Sequence, residues 1–391
     1  MNGISTFFKK IIYNINKFFA GLVRPLDMER SFPPRNELSS PHLRLIGKFS
    51  ARDQLFNVIF GPISFELLRT GFKLKLFDLL HTNPGLTNEE IANHYHLNPY
   101  NTEVLLLGLT SVKILKKFDG RFYNDPYIED LLLNDTNSGF VPKFIERLHG
   151  EIGYAARNLY ETILENKPRG LNVLFGDDFT GGLFEEMSKH PEMFNVFNQY
   201  MIAHTKINRD LVAAEPLFDQ YKNLLDVGGG SGDLAMAFAK YHPNLHATVY
   251  DIPPTTALTQ KKFDAQPDKA RLHTHGGDVL KDQFPRGYDF MMFSHFTAIG
   301  SKNENIEFFR KAFNALEPNG AIGVFGLATY DDDTGPIFSG LFSSYFMCLA
   351  YGKGRIYSAK NYSDWMKEVG FKDVEIKYLP SNEVLVTGKK P

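Results

Sequence analysis

The spacing of apolar and polar residues changes character several times along the chain. Between Phe7 and Leu22, Phe7, Phe8, Ile11, Ile12, Ile15, Phe18, Phe19 and Leu22 recur at helical spacing, with Lys9, Lys10, Asn14, Asn16 and Lys17 between them. That stripe predicts an amphipathic helix. The interrupting lysines and asparagines exclude both an export h-region and a membrane span. The helix is expected to pack its stripe against protein, with contact to a membrane surface as the alternative. Residues 26–50, rich in Pro and Ser, read as an extended arm. From about Arg52 the pattern becomes short-looped and helical. Thr87 followed by Glu90 forms a capping box, Asn98-Pro99 opens a second helix, and Lys116 to Tyr123 reads as a hairpin turning at Asp119-Gly120. Helix, helix and hairpin predict a winged helix.

Helices with aromatic and Met positions follow as far as about residue 215. Apolar runs at 223–227, 247–250, 288–293 and 321–325 then alternate with helical stretches. Alternating strand and helix predicts a parallel, doubly wound α/β sheet of Rossmann-like type. The expected organisation is therefore an N-terminal helix and arm (1–50), a winged-helix module (51–135), a helical segment (136–215) and an α/β domain (216–391).

Charge and composition narrow the function. With 43 Lys+Arg against 45 Asp+Glu, the chain lacks the basic excess that phosphate neutralisation demands. The second helix of the winged module, Pro99 to Leu109, carries no Arg or Lys and a thick leucine face. A helix that reads DNA needs side chains reaching base edges and phosphates, so the module is expected to dimerise and no nucleic-acid partner is expected. A lone cysteine, Cys348, excludes an intrachain disulfide and suits a reducing, cytoplasmic setting. The counts of 35 Phe and 18 Tyr suffice to line an aromatic pocket as well as a core.

The strongest chemical signal is Leu224-Leu225-Asp226-Val227-Gly228-Gly229-Gly230-Ser231-Gly232-Asp233, a strand running into a glycine-rich turn. Such a turn lets a ligand approach the backbone closely, and a dinucleotide is the rival occupant. Asp226, just before the glycines, would repel a pyrophosphate but suit the positive end of an amino acid or a sulfonium. Asp251 ends the next strand, where it could take two ribose hydroxyls. Asp278 follows the third strand unit, within reach of an adenine amino group.

With these residues the sequence resembles the S-adenosylmethionine-dependent O-methyltransferases of the plant-caffeate and hydroxyindole type, which join a winged-helix dimerisation domain to a Rossmann-like catalytic domain. The resemblance runs from about Arg52 to Gly388. It rests on Asp226 to Gly232, Tyr250-Asp251-Ile252-Pro253, Gly277-Asp278-Val279 and Leu316-Glu317-Pro318-Asn319-Gly320. It implies S-adenosylmethionine as cofactor, a small aromatic or apolar acceptor and a homodimer. By the same resemblance Gly228 and Gly230 would line the methionyl part, Asp251 with Ile252 the ribose, and Asp278 with Val279 the adenine. Ser294 and Thr205 would border the cofactor. Phe194 to Thr205 is similar to the family's closing helix, so Phe194, Phe197, Tyr200 and Met201, with Tyr345, are the expected acceptor contacts.

The family's catalytic set is missing. Laid on this sequence without gaps, its His falls at Ala298 and its two Glu at Gly326 and Gly354. His295, three residues earlier, and His204 are the remaining candidates for a base. Three readings follow: methyl transfer to an acceptor that needs little base catalysis, retention of the cofactor for a cyclisation, pericyclic or dehydration reaction, or an inactive dimeric binding protein. Asp331, Asp332 and Asp333 are expected to form a solvated loop, and no metal site is expected.

Overall fold

The computed structural model describes residues 52–133, 139–177, 182–350 and 352–391. The predicted N-terminal helix and arm lie outside the described residues. The chain divides into two compact units, one ending at Ile145 and one starting at Glu146.

In the first unit, helices Gly61–Lys73, Leu76–Thr82, Asn88–Tyr95 and Pro99–Ser111 precede a hairpin of β1 (Leu115–Phe118) and β2 (Arg121–Asn124). The capping box forms as the sequence predicts: the Glu90 amide donates to the Thr87 hydroxyl, and the Thr87 amide donates to the Glu90 carboxylate. Leu76, Phe77, Leu106 and Leu109 are fully buried at its centre. The leucine-rich helix is apolar on two faces. Thr102, Leu105, Leu106 and Leu109 enter the core, whereas Tyr100, Val104 and Leu107 stand exposed one turn apart. An exposed apolar row without Arg or Lys has nothing to offer a phosphate backbone and much to offer another apolar surface.

The second unit is built on a seven-stranded sheet in the order β5-β4-β3-β6-β7-β9-β8. Strands β3 (Asn223–Val227), β4 (His246–Asp251), β5 (Leu272–Gly276), β6 (Phe290–Ser294) and β7 (Ala321–Leu327) run parallel. Strand β9 (Glu383–Lys389) pairs antiparallel with both β7 and β8 (Lys372–Tyr378). The chain winds outward from β3 to β5 and then returns to lay β6 beside β3. The carboxyl ends of β3 and β6 therefore flank the switch point, where open α/β sheets bind their ligands. Nearly all of β7 is buried, which explains its continuous apolar run, while β8 is mostly exposed and polar.

Helix Pro191–Ala213 supplies the other wall. Tyr200, His204, Asn208 and Val212, four residues apart, form its buried face. The loop after β6 is fixed by Asn305, whose buried side-chain amide donates to the carbonyls of Thr297, Gly300 and Ser301. Asn305→Ala removes these bonds and leaves each carbonyl with one remaining donor, the Gly300 amide, the Tyr357 hydroxyl and the residue-305 amide. It is expected to lower folding stability by about 1–3 kcal/mol in chemical denaturation.

Candidate active site

The glycine turn after β3 is shaped by its backbone. Gly228, Gly230 and Gly232 have φ of +69°, +54° and +73°. A Cβ on Gly228 would stand 2.4 Å from the Phe296 ring, so this position has neither the conformation nor the room for a side chain. The turn is tied to β4 through Asp251, whose carboxylate accepts the Gly230 amide at 2.9 Å and the Ile252 amide at 2.8 Å. Burial raises the Asp251 carboxyl above its ordinary range, and these two amides pull it back. Asp226 is fully buried, and neither carboxylate oxygen has a hydrogen-bond partner among the described residues. Burial, and then the charge of Asp251, push it up to about 7. A buried carboxyl without a donor is costly unless a ligand supplies one.

The other predicted cofactor residues are more conventional. Asp278 lies two residues past the end of β5. Partial burial raises its carboxyl, but Lys281 at 2.9 Å and the Leu280 amide carry it below the usual value. Val279 is buried, and its carbonyl accepts the Lys311 ammonium at 2.9 Å. Ser294 ends β6 at the switch point, and Thr205 is half-buried next to His204 on the long helix. Phe194 lines a small cavity with Asn198, Ser231, Thr255, Leu258, Thr259 and Lys262, beside the glycine turn.

A second centre forms where β6, β9 and the long helix converge. The Nε2 atoms of His204 and of His295 each lie 3.5 Å from Oε1 of Glu383. All three side chains are at most 6% exposed, and the two imidazole rings are 4.7 Å apart. Among the described residues, the His295 Nε2 and Glu383 Oε1 atoms have no hydrogen-bond partner. Asn208, one helical turn after His204, donates to the other oxygen of Glu383 at 2.5 Å. Burial pushes Glu383 up to about 8 and His295 down to about 4. Burial, then the charges of His295 and Arg147, hold His204 well below its ordinary value. At neutral pH both imidazoles are therefore uncharged.

His295 reaches this position because it lies one residue beyond β6, at φ +50°. The left-handed turn breaks the alternation of faces that holds within a strand. Two of the substituted positions explain the arrangement. A Cβ on Gly326 would already stand 3.4 Å from the His295 Nδ1, so the imidazole occupies the space beside β7 into which a longer side chain would grow. A Cβ on Gly354 would stand 1.9 Å from the Ala298 carbonyl oxygen. That backbone contact leaves no room for any side chain.

Three of the five predicted acceptor residues, Phe197, Tyr200 and Tyr345, gather around a buried arginine that sequence reasoning did not single out. The Arg147 guanidinium lies 4.9, 4.6 and 4.7 Å from the rings of Phe197, Tyr200 and Tyr345. It donates to the Tyr345 hydroxyl at 2.6 Å and pairs with Glu151 at 3.0 Å. Burial opposes its charge, but Tyr345 and Glu151 outweigh that penalty and keep it ionised. Tyr200 stacks on His204 with centroids 5.7 Å apart, linking the cage to the histidine centre. Met201 is half-buried on the same helix. Glu383, Asn208 and Glu151 were also missed. Only the Arg147–Glu151 pair left a signal, its i,i+4 spacing on a helix.

Residues 157–372 match the O-methyltransferase domain family, and residues 56–133 match the O-methyltransferase dimerisation domain. The chain belongs to the O-methyltransferase family. The L-tyrosine C(3)-methyltransferase of Streptomyces lavendulae is 32% identical over 80% of this chain and 85% of its own. The 3-hydroxy-5-methyl-1-naphthoate 3-O-methyltransferase of Streptomyces sahachiroi is 26% identical over 73% and 79%. Among solved structures, the apo form of the S-adenosylmethionine-dependent methyltransferase SibL superposes with TM-score 0.74 at 29% identity, covering 86% of this chain and 99% of its own. Human N-acetylserotonin methyltransferase in complex with its methyl donor has the same fold, with TM-score 0.69 at 19% identity, covering 90% and 99%. This O-methyltransferase family member is a methyltransferase with S-adenosylmethionine as cofactor, and the donor-starved Asp226 at a side-chain-free turn fits a ligand bearing a cationic ammonium group. Among the described residues no helix is long and apolar enough to cross a membrane.

Two predictions follow from the geometry. Gly354→Ala is expected to cost about 1–3 kcal/mol or more of folding stability, because the clash is with backbone and cannot be relieved by a rotamer change; a denaturation midpoint equal to wild type would contradict this. The second concerns pH. Between its ordinary 4.5 and about 8, Glu383 binds its proton more tightly folded than unfolded. Its contribution to stability is thus complete below pH 4.5 and is lost as pH rises towards 8. His295 acts in the other window, its contribution being lost as pH falls from 6.5 towards 4. Denaturation curves of Glu383→Gln and wild type are expected to diverge in favour of the variant from about pH 4.5 to about 8 and to run parallel above that.

Proposed function

We propose that this methyltransferase acts on a small phenolic molecule and transfers the methyl group to the ring carbon beside the hydroxyl, with His295, His204 and Glu383 as the centre at which the hydroxyl ionises. The observation that carries this reading is the convergence of two uncharged imidazoles and a carboxyl group, buried where β6, β9 and the long helix meet. Bound, S-adenosylmethionine supplies a methyl group on a sulfonium. The chain's own task is to align the acceptor with that methyl group and to ionise it. A phenolate pushes electron density onto the carbons flanking its oxygen; the flanking carbon that takes the methyl group then loses its ring proton to water, and aromaticity returns. The aromatic rings of Phe197, Tyr200 and Tyr345 suit a flat acceptor, and the similarity to an L-tyrosine C(3)-methyltransferase agrees with this chemistry.

In this reading Asp226 faces the amino end of the cofactor, and Gly228 and Gly230 line its methionyl part. Asp251 and Ile252 hold the ribose, and Asp278 and Val279 the adenine, with Ser294 and Thr205 at the border. Phe194 closes over the donor, while Met201 completes the acceptor wall. The enzyme works as a homodimer through its N-terminal unit, supported by the match to the dimerisation domain and by the exposed row of Tyr100, Val104 and Leu107.

The test uses L-tyrosine and simpler phenols deuterated at both carbons flanking the hydroxyl. Formation of S-adenosylhomocysteine with loss of one ring deuteron from the methylated product is expected. A methylated product retaining both deuterons would overturn ring-carbon transfer. His295→Ala is expected to lower kcat by about 100-fold or more while leaving S-adenosylmethionine binding intact by calorimetry.

A further inference from the structure

The geometry points to the His204–His295–Glu383 cluster as a binding site for a divalent first-row transition metal, such as zinc or ferrous iron, held by two imidazole nitrogens and one carboxylate with the remaining positions open. This inference rests on the proposed function for its role and on the side chains alone for its existence. The metal-binding atoms of the three residues all lie within 4.8 Å of one another. Both Nε2 atoms stand 3.5 Å from the same Glu383 oxygen. Ligands bonded tetrahedrally at the usual 2.0–2.2 Å are separated by about 3.3 Å, so small rotations of side chains already in place would complete the set. The facing His295 Nε2 and Glu383 Oε1 are both buried without a hydrogen-bond partner among the described residues. A cation held between them would satisfy both atoms at once.

The surroundings match a metal centre in a further respect. Asn208 donates to the distal oxygen of Glu383, the kind of supporting bond that orients a ligating carboxylate. Arg147, whose charge also reaches His204, is neutralised by Glu151. Two imidazoles with one carboxylate and no thiolate suit zinc or ferrous iron better than magnesium or calcium, which prefer oxygen ligands throughout. The open positions would accept an anionic oxygen, such as that of the ionised phenolic acceptor, whose proton leaves to water.

The full-length protein, stripped with a chelator, is titrated with cobalt(II) and followed by its visible d–d bands. One equivalent per chain is expected, displaced by zinc. Glu383→Gln and His204→Gln are each expected to weaken cobalt binding by about 100-fold or more, while calorimetry of the same variants with S-adenosylmethionine shows that they are folded. Absence of d–d bands in a protein that binds S-adenosylmethionine would overturn the proposal. So would cobalt binding unchanged in both variants. Failure of the acceptor reading is a separate event: cobalt binds as expected, and loaded protein forms no S-adenosylhomocysteine with any phenol offered.

Discussion

The candidate site depends on a single vacancy of side-chain volume, at Gly326 on β7. Strand β6 delivers its last residues against that position, and His295 leaves the strand in a left-handed conformation with its imidazole against the glycine. A non-glycine residue in that region costs on the order of 1–3 kcal/mol and persists only where the surroundings impose it. Here they do: the His295 amide donates to the Phe325 carbonyl at 2.7 Å, and the ring lies edge-on to Phe325, centroids 4.8 Å apart. The antiparallel register of β9 then sets Glu383 opposite Leu327, one residue from the glycine, and the 200–204–208 face of the long helix brings His204 and Asn208 to the same point. A bulkier residue at 326 would compete with the imidazole for its space.

The electrostatics are a consequence of that packing. Burial opposes charge on each member, so the histidines are held neutral and the carboxyl is held protonated well above its ordinary range. Asp226 stands in the same condition on the other side of the switch point. Polar groups left short of partners in a core reduce stability, and strained or frustrated groups of this kind concentrate where a ligand completes them. One centre is formed by a carboxyl group beside a glycine turn, the other by imidazoles and a carboxyl group beside an aromatic cage. Together they offer a place for a cationic donor and a place for an ionisable acceptor.

Much of the framework was legible in the sequence because it rests on local rules. The capping box at Thr87, the hairpin at Asp119-Gly120, the glycine turn after Asp226 and the parallel strands with continuous apolar runs are each specified by neighbouring residues. The grouping of His204, His295 and Glu383 was not. Glu383 lies 88 positions beyond His295 in the sequence and opens a strand whose pairing with β7 no local pattern announces. Its partner β8 is polar and exposed, so the edge of the sheet left no apolar signature. His295 was visible as a candidate, but the left-handed turn that orients it lies one residue past the strand, where alternation no longer applies. Arg147 and its cage assemble from segments about 50 and 200 residues apart.

The claim at the centre of this account is that the acceptor is ionised at the His204–His295–Glu383 centre. The most direct measurement is the absorbance of a nitrophenol acceptor analogue bound to the protein with S-adenosylhomocysteine present, recorded against pH. Wild-type protein is predicted to hold the analogue as its phenolate below the pH at which the free compound ionises, and Glu383→Gln and His295→Ala are predicted to lose that shift. Equal ionisation on wild type and both variants, all of them binding the analogue, would contradict the account.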